Sequence, residues 1–376
     1  MRWDNLTDHG RVTGKPAAPA LFELSPVTRS FDTPGFRGMT FFEVHARSII
    51  NQVPPASRMA FRWTINPYRG CSHACVYCFA RKTHTYLDLD AGEDFNSRVV
   101  VKVNAAELAR KELAARRWRG EHVAMGTNVD CYQRAEGRYQ LMPGIIAAMR
   151  DAANPFSILT KGTLILRDLD LIAEAAEVTD VGLNLSVGFT DEELWRSVEP
   201  GTPSPQRRLE VCAAITARDL PCGVLMGPVL PFLTDSPRQL EDTVRRIAAA
   251  GAAHVTPIVL HLRPGAREWF LSWLGEQHPS LVRRYRELYG GGSYAARGYQ
   301  QRIGDQVREL AARHGVGRVS PARARRLPRG GGAPDGNPPD GRAGTAPGGT
   351  GPGGIGPGGT GPGGVRSAGA VQLALL

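Results

Sequence analysis

Three cysteines in one short segment are the residues best suited to chemistry in this 376-residue chain. Cys71, Cys75 and Cys78 are spaced C-x3-C-x2-C. Thiolates are soft ligands that bind iron–sulfur clusters, zinc or Cu(I). Because three thiolates on a four-iron cluster leave one iron without a protein ligand, that iron is free to bind and activate a small molecule. The spacing therefore favours an iron–sulfur cluster with one open iron.

A zinc site is the main alternative for the same cysteines. Structural zinc takes four ligands in a closed tetrahedron, so His73 or His84 would have to complete it. The chain has no second pair of closely spaced cysteines after this segment. A disulfide scaffold fits less well, since the chain is long and its first residues form no apolar secretion signal. The residues alone therefore favour the open cluster and leave the zinc site as an alternative.

The segment 66–81, NPYRGCSHACVYCFAR, resembles the C-x3-C-x-aromatic-C signature of the radical SAM enzymes, with Tyr77 as the aromatic residue. The resemblance implies a 4Fe–4S cluster on the three cysteines and S-adenosylmethionine (SAM) bound to the open iron through its amino and carboxylate groups. It also implies that reduction of the cluster cleaves SAM and releases a 5′-deoxyadenosyl radical. We therefore expect an enzyme that abstracts hydrogen from an unknown substrate and takes its electron from a reductant such as a ferredoxin or flavodoxin.

Further segments extend the resemblance over roughly residues 43–303. They are GTNVD at 126–130, SILTKG at 157–162, EPGT at 199–202 and GPVLPFLTD at 227–235. Together these segments are similar to an actinobacterial subgroup of radical SAM proteins related to spore photoproduct lyase. The shared pattern implies SAM binding and a 4Fe–4S cluster but does not specify the substrate.

The chain departs from the lyase pattern at one position that bears on mechanism. In spore photoproduct lyase a hydrogen-donating cysteine stands just before the turn after the second strand, where this chain has Gly126. Cys131 follows the same turn instead. We therefore take Cys131 and its neighbour Tyr132 as the candidate catalytic residues, with Cys131 as a hydrogen-atom relay. The alternative for Cys131 is an inert, buried side chain.

The elements that must position these residues follow an alternating strand–helix pattern from residue 61 onward. Runs of β-branched and apolar residues predict strands, and apolar residues at helical spacing between them predict helices. The predicted strands are 62–68, 98–103, 122–125, 156–160, 181–187, 222–226 and 255–260. This pattern indicates an α/β fold with a parallel sheet. It fits an open doubly wound sheet as well, whereas the resemblance implies a partial (β/α)6 TIM-like barrel.

Parallel barrels carry their chemistry on loops after the carboxyl ends of the strands, and this rule selects the candidate SAM-binding residues. Lys161 is placed for the SAM carboxylate, unless it is a surface lysine before a turn. Ser186 is placed for the amino group or a hydroxyl, unless its own hydroxyl is satisfied inside the barrel. The other candidates are Tyr77 and Phe79 beside the adenine, Asn128 and Asp130 beside the amino group or ribose, and Gly126, which permits close backbone approach.

Composition divides the chain into four regions. Residues 1–60 are expected to form an N-terminal extension with a short helix at 41–50, and the resemblance implies that residues 61–262 form the radical SAM partial barrel. Residues 263–327 form a C-terminal helical cap and a basic arm. Residues 328–376 are so rich in glycine and proline that they cannot bury a core, which predicts a disordered tail.

The net charge of +10 raises the question of a nucleic-acid partner. Residues 308–329 hold seven arginines and one glutamate, and Arg81, Arg134 and Arg138 are expected near the barrel mouth. DNA photoproduct repair and a non-catalytic iron–sulfur or zinc protein that binds nucleic acid are therefore alternatives, although a solvated basic arm explains the charge equally well. The sequence has no apolar run long enough to span a membrane, and a reducing cytoplasm is the expected location for an open cluster.

Overall fold

The structure, a computed structural model, describes residues 27–31, 33–54, 59 and 61–316. Its strands in chain order are β1 (Val27–Ser30), β2 (Thr40–Val44), β3 (Ile50–Gln52), β4 (Trp63–Ile65), β5 (Tyr68–Arg69), β6 (Arg98–Lys102), β7 (Val123–Met125), β8 (Phe156–Thr160), β9 (Val181–Ser186), β10 (Cys222–Val229) and β11 (His254–Val259). Its α-helices are α1 (Glu93–Ser97), α2 (Ala105–Leu113), α3 (Arg134–Tyr139), α4 (Leu141–Asp151), α5 (Leu169–Val178), α6 (Glu192–Val198), α7 (Pro205–Thr216), α8 (Pro237–Ala249), α9 (Ala266–Gln277), α10 (Val282–Tyr289) and α11 (Arg297–Arg313). The predictions for the tail and for most of the basic arm fall outside the described residues.

The main sheet has the strand order β11-β10-β9-β8-β7-β4-β3. Strands β4 and β7 to β11 are parallel, and β3 adds an antiparallel edge beside β4. A doubly wound sheet reverses its strand order at a switch point, whereas here every strand after β4 joins the same growing edge. Within the described residues β11 does not close onto β3. The sheet is therefore a partial (β/α)6 barrel, which confirms the predicted fold class.

A second, smaller sheet has the order β1-β2-β6-β5 and holds both ends of the cysteine segment. β5 precedes the cysteines and β6 follows them, and the two strands pair antiparallel with Tyr68 opposite Val101. The valines of β6 are fully buried, as expected for β-branched residues in the interior of a sheet. The predicted strand at 98–103 therefore exists, but it belongs to this sheet and not to the barrel.

The helix predicted at 41–50 is wrong, because this segment forms β2 and leads into β3. β2 pairs with β1 on one side and with β6 on the other, and Phe41 is fully buried. The amides of Ile49 and Ile50 each donate to the Glu112 carboxylate at 2.8 Å. These backbone groups find partners in neighbouring strands and in a side chain, so tertiary contacts override a local helical pattern.

The helices between the barrel strands begin at recognisable capping residues. Ser204 accepts a hydrogen bond from the Arg207 amide, and Pro205 opens α7. Ser236 caps α8 in the same way, with Pro237 in the first position. A serine hydroxyl satisfies a free amide of the first turn, and proline needs no amide partner there. These caps fix where each helix leaves its preceding loop at the carboxyl end of the sheet.

The last three helices, α9 to α11, lie in the region where a C-terminal helical cap is predicted. The Tyr285 hydroxyl donates to the Pro231 carbonyl at 2.7 Å, and Tyr289 donates to the Leu260 carbonyl at 2.7 Å. Tyr299 of α11 donates to the Asp235 carboxylate at 2.5 Å. These bonds tie α10 and α11 to the loops that follow β10 and β11. None of the helices in the described part of the chain is long and apolar enough to cross a bilayer.

Candidate functional site

The three cysteines lie on one tight loop between β5 and β6. The Cys71 amide donates to the Phe95 carbonyl at 2.9 Å, and the Cys78 amide donates to the Cys75 carbonyl at 3.2 Å. Ala74 has a positive φ of 53°, so the chain reverses direction between the first two cysteines. Cys71 and Cys75 are buried and Cys78 is half-buried, and all three are free thiols. The loop therefore gathers three thiols that no disulfide removes.

The loop at 199–202 packs against the cysteine loop, and backbone hydrogen bonds join this part of the chain to the cysteine loop. The Val76 amide donates to the Val198 carbonyl at 3.0 Å, and the Gly201 amide donates to the His73 carbonyl at 3.1 Å. A Cβ on Gly201 would lie 2.0 Å from the Ser72 carbonyl oxygen. Only glycine allows two backbones to approach this closely. The glycine of the EPGT segment is therefore needed for this segment to pack against the cysteine loop.

The donor set fits a metal cluster better than free thiolates. Burial, together with the nearby Glu199 and Cys78, raises the pKa of Cys75 to about 12 despite the opposing charge of Lys161. Burial also raises the pKa of Cys71 and of Cys78. Such thiols hold their protons at neutral pH unless a metal displaces them, and a coordinating thiol is deprotonated outright. The site is thus prepared for ligation and not for thiolate nucleophiles.

The two metal centres considered for the cysteine loop differ in the ligands that they need. Three thiolates suffice for a four-iron cluster, whereas a structural zinc ion needs a fourth ligand. The two histidines considered for zinc have other partners: His73 faces Asp130 at 3.3 Å, and His84 Nε2 lies 2.8 Å from the Arg98 carbonyl.

Asp130 connects the cysteine loop to the ends of two strands. Its carboxylate accepts hydrogen bonds from the amides of Tyr132 at 2.9 Å and Lys161 at 2.6 Å, and from the Thr160 hydroxyl at 2.6 Å. It also faces the His73 ring. Burial alone would raise the pKa of Asp130, but His73 and the hydrogen bonds outweigh it and lower the pKa to about 2. Asp130 is therefore a permanent anion whose oxygens are occupied by protein donors.

Lys161 and Ser186 meet at the carboxyl ends of β8 and β9. Lys161 Nζ lies 2.7 Å from Ser186 Oγ and 5.8 Å from the centre of the Tyr77 ring. The Ser186 hydroxyl donates to the Gly227 carbonyl of β10 at 3.0 Å. The lysine is half-buried and points across strand ends toward the cysteine loop. The structure therefore brings together three residues that the sequence selected separately.

A buried network behind this lysine was not foreseen as part of the site. The Tyr77 hydroxyl donates to Glu199, and Glu199 pairs with Arg208. Arg208 also donates to the Ser186 carbonyl at 2.8 Å. Burial opposes ionisation of Glu199, but Arg208, Lys161 and the Tyr77 hydroxyl outweigh it and lower the pKa of Glu199. The EPGT motif could have identified Glu199 as a site residue. Nothing in the sequence distinguishes Arg208 from the other polar residues of α7.

Gly126 and Cys131 lie side by side after β7. Gly126 has a φ of +76°, and a Cβ there would lie 1.9 Å from the Leu159 carbonyl oxygen. The same Cβ would lie 3.4 Å from the Cys131 sulfur. A cysteine at position 126 therefore cannot be accommodated without moving the backbone. Cys131 is fully buried, and burial raises the pKa of its thiol well above the usual value.

The remaining candidates are spread around this centre. Tyr132 is buried and its hydroxyl donates to Asp168 at 2.9 Å. Asn128 is half-buried on the turn that contains Asp130. Phe79 is 40% exposed, and the Arg263 guanidinium lies 5.2 Å from its ring centre.

The three arginines expected near the mouth have different positions. Arg81 is fully buried beside the cysteine loop, where it donates to the Cys75 carbonyl, so it is not exposed for contact with a nucleic acid. Arg138 lies 4.4 Å from the centre of the Phe31 ring, and Arg134 bonds the Gly35 carbonyl at 3.4 Å. These two arginines therefore pack against the N-terminal segment that precedes β2.

Sequence comparison identifies relatives over half of the chain or more. The chain is 51% identical over 316 residues to an uncharacterised protein of Mycobacterium tuberculosis, which corresponds to 84% of this chain and 93% of that protein. It is 29% identical over 193 residues to an uncharacterised protein of Methanocaldococcus jannaschii, covering 51% of this chain and 69% of that protein.

Solved structures share the fold at low sequence identity. A tyrosine-to-phenylalanine variant of spore photoproduct lyase superposes with a TM-score of 0.57 at 16% identity, over 83% of this chain and 87% of that chain. A second variant of the lyase, with bound AdoMet and dinucleoside spore photoproduct, gives a TM-score of 0.54 at 17% identity over 71% and 77% of the two chains. The family model of the radical SAM superfamily matches residues 65–247, from the first barrel strand to α8. With its cysteine loop at the carboxyl end of a partial barrel, the chain belongs to the radical SAM superfamily.

Proposed function

We propose that this protein is a radical SAM enzyme whose 4Fe–4S cluster is held by Cys71, Cys75 and Cys78. When bound, the cluster supplies one electron to SAM, whose cleavage yields a 5′-deoxyadenosyl radical that abstracts hydrogen from a substrate. The observation that carries the proposal is the loop of three free thiols at the carboxyl end of the barrel, faced by the Lys161 ammonium. A loop with three thiols and a nearby cation suits a cluster together with a carboxylate-bearing ligand.

The residues around the loop divide the binding of SAM between them in this proposal. Lys161 binds the carboxylate, because its ammonium is held between Ser186 and Tyr77 and has no acid partner within hydrogen-bonding distance in the described residues. Ser186 and Asn128 offer hydrogen bonds to the amino group or the ribose. Tyr77 and Phe79 adjoin the adenine, and Gly126 lets the backbone of its turn approach SAM closely. Asp130 acts through the Lys161 amide and His73, since its oxygens already accept protein hydrogen bonds.

Cys131 and Tyr132 remain our candidates for chemistry on the substrate. The Cys131 thiol is next to Gly126, at the level of the turn after β7, and its raised pKa keeps the sulfur protonated. A protonated thiol can give a hydrogen atom to a carbon radical, whereas a thiolate cannot. The Tyr132 hydroxyl is hydrogen-bonded to Asp168, so Tyr132 would affect catalysis by positioning Cys131.

Anaerobic reconstitution with iron and sulfide tests the proposal directly. The wild-type chain should take up a 4Fe–4S cluster and form 5′-deoxyadenosine from SAM in the presence of dithionite. The triple variant C71A/C75A/C78A should bind no cluster, whereas C212A, which removes a buried thiol from α7, should behave as wild type. A wild-type protein that holds zinc, or a full cluster that leaves SAM intact, refutes the proposal.

Nucleic acid is a second candidate substrate, favoured by an aromatic and cationic rim at the end of β11. Phe79 pairs with Arg263, and the exposed Tyr294 packs at 4.6 Å against His261. Exposed aromatic rings beside cations form platforms on which bases stack. One of the solved lyase structures contains a bound dinucleoside spore photoproduct, but Gly126 argues against the same repair chemistry in this chain.

Binding of a labelled oligothymidine, with and without a thymine dimer, separates these options. Nucleic-acid recognition predicts binding that weakens with salt and falls at least about fivefold in F79A, in line with the loss of one stacked base. The basic residues 317–329 can be removed separately to measure their share. Binding that F79A and salt leave unchanged would exclude this surface.

We further propose a reducing compartment such as the cytoplasm and a reductant such as a ferredoxin or flavodoxin. All six cysteines are free, and unpaired thiols persist where disulfides are reduced. A purified flavodoxin with its reductase should replace dithionite in the formation of 5′-deoxyadenosine. A cluster that only dithionite reduces would count against this class of partner.

A further inference from the structure

Arg81 is a fully buried cation three residues after the last cysteine of the loop. It belongs to a 3-10 helix, Phe79–Leu87, that follows Cys78 directly. Its guanidinium is enclosed by two aromatic rings: the centre of Trp269 lies 4.7 Å away and that of Phe95 lies 5.2 Å away. Buried cations normally pair with a carboxylate, because an uncompensated charge is costly away from water.

No carboxylate in the described residues forms an ion pair with Arg81. Its hydrogen bonds go to backbone carbonyls and one side-chain amide at 2.9–3.3 Å: Nε to Cys75, Nη1 to Ala91 and Gly92, and Nη2 to Ala74, Cys75 and Asn96. The acidic groups with the largest electrostatic effect on Arg81 are the three cysteines and Glu93. Glu93 is exposed, so water screens its charge. The full positive charge of Arg81 therefore faces the cysteine loop.

We propose that Arg81 is the internal counter-charge of the cluster bound by this loop and raises its reduction potential. The inference rests on the proposed function, since it requires that cluster. Reduction makes the cluster one unit more negative, so a fixed neighbouring cation stabilises the reduced state more than the oxidised state. The aromatic enclosure keeps water away, and the interaction is therefore poorly screened. Arg81 thereby makes electron uptake, which must precede SAM cleavage, more favourable.

A purely structural role for Arg81 makes different predictions. Its donors hold the carbonyls of Ala74 and Cys75, so it also fixes the shape of the loop. If shape alone mattered, any change that disturbs the enclosure would alter the cluster, whether or not it removed charge. If charge matters, a neutral side chain lowers the potential, whereas a different cation in the same place does not.

The experiment is an EPR-monitored redox titration of the reconstituted full-length chain without SAM. R81Q should be harder to reduce, with at least a tenfold smaller ratio of reduced to oxidised cluster at a given potential, a shift of about 59 mV for one electron. The reduction potential of R81K should differ from that of wild type by less than half of that shift. N96A, which removes one acceptor but keeps the charge, should titrate as wild type. R283Q, on the exposed face of α10, controls for the change in net charge.

Each outcome decides the proposal. An R81Q potential equal to that of wild type, or an N96A shift as large as that of R81Q, overturns it. Where R81Q fails to take up iron, R81K decides: an unchanged potential supports the role of charge, and a shift as large as tenfold refutes it. Iron and sulfide analysis of the wild type comes first, because absence of a 4Fe–4S cluster there refutes the proposed function itself, whereas a cluster with unchanged potentials refutes only the role of Arg81.

Discussion

At the residue scale, the site depends on charges that are fixed before any ligand arrives. Lys161 is held by Ser186 Oγ, and Asp130 holds the Lys161 amide from the other side. Glu199 and Arg208 pair behind them in a fully buried position. Fixed charges of this kind do not have to reorganise when an anionic ligand binds. These contacts hold the Lys161 ammonium in place beside the cysteine loop, where we propose that it binds the SAM carboxylate.

Removing the Lys161 ammonium should weaken SAM binding and leave the cluster in place. We expect K161M to raise the dissociation constant of SAM about 10- to 100-fold, since a hydrogen bond to a charged group contributes about 1.5–3 kcal/mol. Isothermal titration of the reconstituted protein measures the constant, and iron analysis checks the loading. K111M changes an exposed lysine of α2 and should match wild type. Equal affinities of K161M and wild type would remove Lys161 from the SAM site.

Asp130 should make stability depend on acid in a defined direction. Its folded pKa of about 2 is below the ordinary value near 3.9, so the carboxylate favours the folded chain above pH 4. This contribution, about 2 kcal/mol, is lost as the pH falls from about 4 to 2.

Denaturant unfolding of wild type and D130N tests this dependence. D130N should be about 2 kcal/mol less stable at pH 7, and the difference should shrink toward pH 2. D151N, at an exposed acid of α4, should show no comparable loss. A difference between wild type and D130N that is the same at both pH values would contradict the pKa assigned to Asp130.

At the element scale, glycines decide how closely the site loops approach one another. Gly201 lets the 199–202 loop pack on the cysteine loop, and Gly126 lets the turn after β7 pack on β8. Both close approaches are made to carbonyl oxygens of the backbone, which cannot rotate away as a side chain can. The two loops are therefore positioned by backbone contacts before any side chain takes part.

G201A should push these loops apart and reduce cluster loading. The added methyl group would lie 2.0 Å from the Ser72 carbonyl oxygen, so we expect a loss of stability of about 1–3 kcal/mol and a lower iron content after reconstitution. Thermal unfolding and iron analysis measure the two effects. G298A lies on α11 with nothing within 4 Å of the new methyl group, and it should be neutral or stabilising by up to about 1 kcal/mol. Similar behaviour of both variants would show that the loop approach is not tight.

At the scale of the whole molecule, the small sheet joins the cysteine segment to the barrel. Strands β5 and β6 hold both ends of the segment, while Ala46 exchanges two hydrogen bonds at 2.9 Å with the side chain of Asn104, just before α2. Glu112 of α2 then binds the amides of Ile49 and Ile50 as the chain enters β3. Residues outside the barrel therefore fix where the cysteine loop sits above it.

Loss of the Glu112 carboxylate should loosen this connection. E112A leaves the Ile49 and Ile50 amides without their charged acceptor, and we expect about 2 kcal/mol lower stability. Limited proteolysis between β2 and β3 should also become faster. E107A, at an acid of the same helix that has no such amide partners, serves as the comparison. Equal unfolding midpoints for both variants would mean that the segment is held by its strands alone.

Local patterns in the amino-acid sequence were enough to propose the three cysteine ligands and to predict the class of fold and the ends of the barrel strands. Cysteine spacing is a local property, so Cys71, Cys75 and Cys78 could be recognised without any contact being known. The parallel pattern is also local, because each strand and helix carries its own apolar spacing, and the rule that chemistry follows strand ends then selected Lys161 and Ser186.

Packing between distant elements established which of these residues meet and what surrounds them. The pairing of Glu199 with Arg208, the burial of Arg81 and the extended conformation at 41–50 depend on partners far away in the chain. Such contacts leave no periodic pattern in the sequence. Each depends on the size and charge of a partner that lies on another element. A site whose residues are close together in the sequence can therefore be predicted from it. Charge compensation and close backbone approach arise only when the elements pack.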